Sequence, residues 1–177
     1  ALWAVERARR SGLEAQRDKA GNVLVRKPAS PGLEGRPGII LQAHLDMVPQ
    51  KTAESGHDFL KDPIRPCLDP AEPEWLRATG TTLGADDGIG IAAGFALLED
   101  PGLRHGPLEL LLTLNEEDGM GGAHGLSPGL LTGRILLNLD CELEDEIGVG
   151  SAGSRRVHFS LAKPAMAPEA GLDWLEV

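Results

Sequence analysis

Three apolar runs set the frame for this chain: Gly38-Ile39-Ile40-Leu41-Gln42-Ala43, Leu108-Glu109-Leu110-Leu111-Leu112-Thr113-Leu114 and Arg134-Ile135-Leu136-Leu137-Asn138-Leu139. Each has the length of a strand and is apolar on both alternating faces, as in a strand covered on two sides. Between the first two lies Gly88–Leu98, with the small and apolar content of a helix packed on a sheet, stopping before Pro101. A short glycine-rich helix is expected between the second and third, around Gly122–Leu126. Strand, helix, strand, helix, strand predicts an α/β layer fold: a mostly parallel sheet flanked by helices. Ahead of it, Leu2, Val5 and Ala8 repeat at helical spacing before Gly12. Two short strands are expected over Leu13–Arg17 and Asn22–Arg26, joined through Lys19-Ala20-Gly21. Residues 28–37 and 49–82 read as loop and irregular chain.

The bulk properties narrow the partners. The 177 residues are 41% hydrophobic, enough for a globular core. The formal net charge is −10 with no lysine or arginine run, which disfavours nucleic acid and anionic membranes. No apolar stretch approaches the roughly 18 residues of a membrane span. Cys67 and Cys141 make neither a metal-type spacing nor a disulfide framework, so a reduced cytoplasmic setting fits.

Chemistry collects where the apolar runs stop. Ligands of open α/β sheets gather at the carboxyl ends of the strands, and His44, Glu116 and Asp140 each lie just past a run. Asp86 precedes a helix on a loop able to reach the same side. One imidazole and several carboxylates are the ligand types of a site for two divalent metals. A ligating imidazole usually gives its second N–H to a carboxylate, and Asp46 is close enough to His44 for that role. An isolated His-x-Asp is more often plain surface; the pair matters only in company. Asp86-Asp87 taken alone suits a helix start. No G-x-G-x-x-G pattern accompanies it, which disfavours a dinucleotide loop. Glu116 and Glu117 repel one another, so a site holding both must divide their work, one neutralising a metal and one moving protons. As a bare dipeptide they are more often a solvated loop. His57, His105, His124 and His158 read as structural or exposed, with His124 nearest to an exception because it follows the acidic pair. No Gly-x-Ser-x-Gly elbow points to a serine hydrolase.

The order and wording of the segments resemble the aminoacyl-histidine dipeptidases, also called Xaa-His or cytosolic non-specific dipeptidases, of the di-zinc exopeptidase clan. The match runs through residues 42–51, His57-Asp58-Phe59, Lys61-Asp62-Pro63-Ile64 and residues 80–90. It continues through residues 105–113 and 116–123 and Leu137-Asn138-Leu139-Asp140. The resemblance implies a zinc-exopeptidase-like catalytic domain over residues 1–153 and the first strands of an α+β lid domain over 154–177, at Arg156–Leu161 and Leu172–Val177. It implies metal-dependent hydrolysis of dipeptides, Xaa-His type with broad specificity. The cofactors implied are two divalent metal ions, Zn²⁺ with Mn²⁺ or Co²⁺ as alternatives. His44 would ligate one metal with Asp46 behind it, Asp86 would bridge both, Glu117 would ligate the second and Asp140 the first. Glu116 would be the general base, and the Asp86–Asp87 peptide bond would be cis. A homodimer is expected of the full-length protein, in the cytoplasm.

The departures are Asp87, where such proteins usually have Asn, and His124, where they do not have His. Their further histidine ligand and a Gly-Gly-His-Ser-Gly lid segment fall beyond the strand that residues 172–177 match. This chain is therefore expected to be the N-terminal part of such a protein, half enclosing the second metal. A tripeptidase, deacetylase or carboxypeptidase of the same clan would share the ligands and differ in the lid. A non-catalytic acidic metal-binding protein is a weaker reading. Calcium sites prefer all-oxygen ligands from one compact loop, whereas these residues spread from 44 to 140 and include an imidazole.

Overall fold

A computed structural model describes residues 1–141, 143, 145–150, 153 and 157–160. The chain separates into two compact units, residues 1–142 and 143–177. The first unit contains α1 (Leu2–Arg10), β1 (Glu14–Arg17), β2 (Val23–Lys27), β3 (Ile39–His44), β4 (Pro66–Leu68), β5 (Leu76–Ala78), α2 (Ala85–Glu99), β6 (Leu108–Thr113), α3 (Gly121–His124) and β7 (Ile135–Asn138).

Among the described residues the main sheet has five strands in the order β1-β2-β6-β3-β7. The three apolar runs form its parallel part, with β3 between β6 and β7. All six residues of β6 are buried, as expected of a strand apolar on both faces. The β1–β2 hairpin adds an antiparallel border, with β2 against β6, so the sheet is mixed. The reversal follows from the short link between β1 and β2, since a tight turn can join only antiparallel neighbours.

The two faces of the sheet are covered differently. On one face, α1 and α2 bring Ala4, Val5, Ala8, Phe95 and Leu98 against Val23, Val25, Leu41, Ala43, Leu110 and Leu112. Helix α2 lies close to β6: a Cβ added at Gly94 would stand 2.5 Å from Leu110 Cδ1. On the other face, Leu24, Ile40 and Leu111 are met by Leu126, Leu130 and Leu131. The helix expected there shrinks to the four residues of α3, and loop leucines complete the cover. Two adjacent glycines within so short a segment explain the reduction, since each lowers helix stability by about 1 kcal/mol relative to alanine.

Residues 49–82, expected to be irregular, contain one small antiparallel hairpin, β4–β5, in a sheet of its own. All three residues of β4 are exposed, so the pattern lacks the buried face that announces a strand. Strand β7 is also exposed along its whole length. Among the described residues, no helix is long and apolar enough to cross a membrane.

In the second unit the described residues carry no helix or strand. Of the strand expected over 156–161, residues 157–160 are described and are irregular. Residues 172–177 lie outside the described residues, as do 151–152 and 154–156 around the expected domain boundary.

Candidate metal centre

His44 closes β3 and is 1% exposed. Its position follows from the strand order. Leu45 N donates to Thr113 O at 2.8 Å on one side, and Leu139 N donates to Gln42 O at 2.8 Å on the other. The chain just beyond β7 is thereby drawn alongside His44, which stands 3.8 Å from Asp140 Oδ2 through Nε2. The first turn of α2 supplies Asp86, whose Oδ1 lies 2.8 Å from the same nitrogen. The Asp86–Asp87 peptide bond is cis.

The other ring nitrogen orients the ring. Nδ1 lies 2.9 Å from the main-chain oxygen of Asp46. A carbonyl only accepts, so Nδ1 carries the hydrogen toward it, and Nε2 is the nitrogen that faces the carboxylates. The Asp46 carboxylate stands off at 3.8 Å from Nδ1. Its two oxygens accept the N–H groups of Glu116 and Glu117, each at 3.3 Å. Thus Asp46 orients the imidazole through its main chain and holds the acidic pair through its side chain.

Among the described residues, two groups of side chains converge closely enough to hold a cation: His44, Glu116 and Asp140, and His44, Asp86 and Glu117. Within each group the ligand atoms lie within 4.8 Å of one another. One imidazole nitrogen with carboxylate oxygens is a donor set that suits zinc and neighbouring divalent metals. The electrostatics favour a cation there. Burial raises the Glu116 carboxyl above its ordinary range, and the negative charges of Asp140, Glu117 and Asp46 add to this against the opposing effect of His44. Burial lowers the His44 pKa, but the hydrogen bond to Asp86, the Asp46 carbonyl and the charges of Asp140 and Asp86 outweigh it, for a net rise. A divalent ion at either group would relieve the repulsion among these carboxylates.

Asp87 belongs to neither group. It is 4% exposed, and its carboxylate accepts His44 N at 3.1 Å and Gly90 N at 3.0 Å, capping the regular part of α2. Burial raises its carboxyl, with Asp140 adding to the rise, while the two accepted hydrogen bonds and His44 act in the opposite direction. His124 is exposed on α3, and both cysteines are exposed. Sequence reasoning passed over a polar rung beneath the site. Asn138 Nδ2 donates to Gln42 Oε1 at 2.6 Å, and Gln42 Nε2 donates to Thr113 Oγ1 at 3.2 Å. Polar residues near the ends of otherwise apolar runs were its one sequence trace.

A mixed α/β sheet with an imidazole and acidic residues beyond its parallel strands is the architecture of a metallopeptidase catalytic domain. The chain belongs to peptidase family M20/M25/M40, whose model matches residues 40–164. Peptidases of this family are metal-dependent. Over 171 residues the chain is 53% identical to the cytosol non-specific dipeptidase of Escherichia coli K12, covering 97% of this chain and 34% of that protein. The solved aminoacylhistidine dipeptidase of Vibrio alginolyticus matches with a TM-score of 0.75 and 52% identity, over 81% of this chain and 29% of that one. A tripeptidase of Staphylococcus aureus shares the fold, with a TM-score of 0.65 and 22% identity over 79% of this chain and 37% of that one. The chain thus spans about a third of the length of these relatives.

Proposed function

We propose that the whole protein is a dipeptidase of broad, Xaa-His-accepting specificity, working at a centre for two divalent metal ions. The observation that carries this reading is the sharing of His44 between two ligand groups that divide the acidic pair, Glu116 in one and Glu117 in the other. In this reading His44 and Asp140 would hold the first ion, Glu117 would hold the second, and Asp86 would serve both. Zn²⁺ suits the nitrogen and oxygen donors, with Mn²⁺ and Co²⁺ as alternatives. When bound, the ions supply an acidified water and polarise the scissile carbonyl.

The remaining steps belong to the protein. Glu116 takes a proton from the attacking water on a carboxylate oxygen and returns it to the leaving amine nitrogen. Asp46 holds the main chain of Glu116 and Glu117 in place, and its carbonyl keeps Nε2 of His44 turned toward the ligands. Similarity to two proteins named as dipeptidases supports the substrate class, and the name of the Escherichia coli relative supports a cytoplasmic setting.

The test is Glu116→Gln in the whole protein. It is expected to lower turnover of an Xaa-His dipeptide by about 10²–10⁴-fold while metal content, measured by atomic emission, stays near that of the unmodified protein. Undiminished turnover would refute the base assignment.

A further inference from the structure

Asn22 lies at the start of β2, outside both ligand groups, and is 1% exposed. Its side-chain nitrogen donates to Asp18 Oδ2 at 2.7 Å and to Gly122 O at 2.9 Å. Its side-chain oxygen accepts Leu114 N at 3.2 Å. Both amide hydrogens and one acceptor position are therefore used. Asp18 braces the residue further, since its Oδ1 accepts Asn22 N at 2.9 Å and its own N–H reaches Asn22 O at 3.0 Å.

Leu114 and Gly122 are the two ends of the turn that carries Glu116 and Glu117. They meet through Gly122 N to Leu114 O at 2.8 Å. Between them the backbone enters the left-handed region three times, at Asn115 (φ 54°), Gly119 (φ 81°) and Met120 (φ 58°). Two of these are not glycine, a conformation that persists only where the surroundings enforce it. The Asp46 carboxylate grips the turn from the metal side through the Glu116 and Glu117 amides. Asn22 grips its base from the opposite side. The fit at the base is tight: a Cβ on Gly122 would collide with Asn22 Oδ1 and with Leu114 O.

We propose that Asn22 is a positioning residue for the Glu116 and Glu117 carboxylates, holding the turn so that one acid joins each ligand group. The proposal rests on the dipeptidase reading above. Loss of the amide removes the acceptor of Leu114 N and leaves Gly122 O only Gly125 N at 3.2 Å, and a donor so orphaned pulls toward other partners or water. The turn then shifts relative to His44, and misplacements of about 1 Å can cost about 10²-fold in rate.

The experiment compares Asn22→Ala with Val25→Ala in the whole protein loaded with Co²⁺. Val25 is buried in the same strand and serves as a control for lost stability. Asn22→Ala is expected to lower kcat about 10–100-fold, the range typical of residues that support metal ligands, with a smaller change in KM. It is also expected to alter the visible Co²⁺ absorption bands. Val25→Ala is expected to lower Tm while the folded enzyme keeps its kcat and spectrum. Asn22→Ser, which retains a hydroxyl, provides a milder second variant and is expected to fall between the unmodified protein and Asn22→Ala. If either Asn22 variant that folds shows unchanged kcat and unchanged bands, the proposal is overturned. The same holds if activity is lost only in proportion to the unfolded fraction. An unmodified protein that takes up no Co²⁺ overturns the dipeptidase reading and this inference together.

Discussion

Strand β6 joins two regions that treat carboxylates in opposite ways, one buried and one half-buried. Near its start, Glu109 is 3% exposed and surrounded by donors: Gly133 N at 2.8 Å, Thr132 N at 2.9 Å, Thr132 Oγ1 at 3.1 Å and Arg26 Nε at 3.2 Å. Burial opposes its ionisation, but the hydrogen bonds from Gly133, Thr132 and Arg26 win, and its pKa is held below the ordinary value. Beyond the other end of β6, Glu116 is crowded by acids and its pKa is raised. One carboxylate has its charge satisfied by the fold, and it anchors the entry to β7. The other keeps unspent affinity for a proton or a cation. In this sheet, buried charge that is satisfied builds structure, and half-buried charge that is not satisfied marks the place for a ligand and for chemistry.

Experiments can break that contrast, and His44→Ala has the largest expected effect. In the reading above His44 holds the first ion, so its loss is expected to lower metal content by about that ion and to abolish nearly all turnover in the whole protein. Metal content near that of the unmodified protein would mean the first ion does not depend on this imidazole. Next, Zn²⁺ at about 100 times its Kd is expected to stabilise the protein by about 2.7 kcal/mol, read as a rise in Tm reversed by a chelator. The same rise in His44→Ala would place the binding elsewhere.

Asp46→Asn keeps the carbonyl that orients His44 and removes the charge that receives the Glu116 and Glu117 amides. Turnover is expected to fall about 10–100-fold. A fall limited to twofold would show that the acidic turn holds itself.

At the satisfied end the effects are smaller and of another kind. Glu109→Gln is expected to cost about 1–3 kcal/mol in urea unfolding while folded protein keeps its turnover. Equal loss of both would erase the distinction between the two regions. The smallest effect concerns pH. A carboxylate with a lowered folded pKa contributes stability that is present above its unfolded value, 4.5, and is lost as pH falls through the lower folded value. Stability measured below pH 4.5 should therefore decline less steeply in Glu109→Gln than in the unmodified protein.

The strands of the parallel region were legible as strands from their unbroken apolar runs, but the cover expected on both faces holds for β6 and not for β7, whose four residues are all exposed at the edge of the sheet. Residues 38–43, 108–114 and 134–139 announce β3, β6 and β7 within about a residue. The helix over 88–98 was legible for the related reason that small residues let it approach the sheet, as Gly94 does against Leu110. The β4–β5 hairpin was not, since its residues bury no regular face. Nor was the thin cover over Leu24, Ile40 and Leu111, where scattered loop leucines replace a helix. At the site, residue types and their placement at strand ends were visible, and the resemblance supplied their roles. Asn22 went unnoticed because what it holds on the acidic turn, Leu114 N and Gly122 O, are main-chain groups that the sequence does not display.

What the sequence by itself determined is local and chemical: which runs form strands, and which donor types stand where those runs end. Both follow from a side chain's own character and its spacing to near neighbours. The tertiary structure decided adjacency. By placing β3 between β6 and β7 it made residues 44, 116 and 140 neighbours. It also turned the carbonyl of Asp46 toward His44 and its carboxylate toward the acidic turn, and it set Asn22 beneath that turn. Such contacts depend on strand order and close packing, which join residues that periodicity along the chain does not relate.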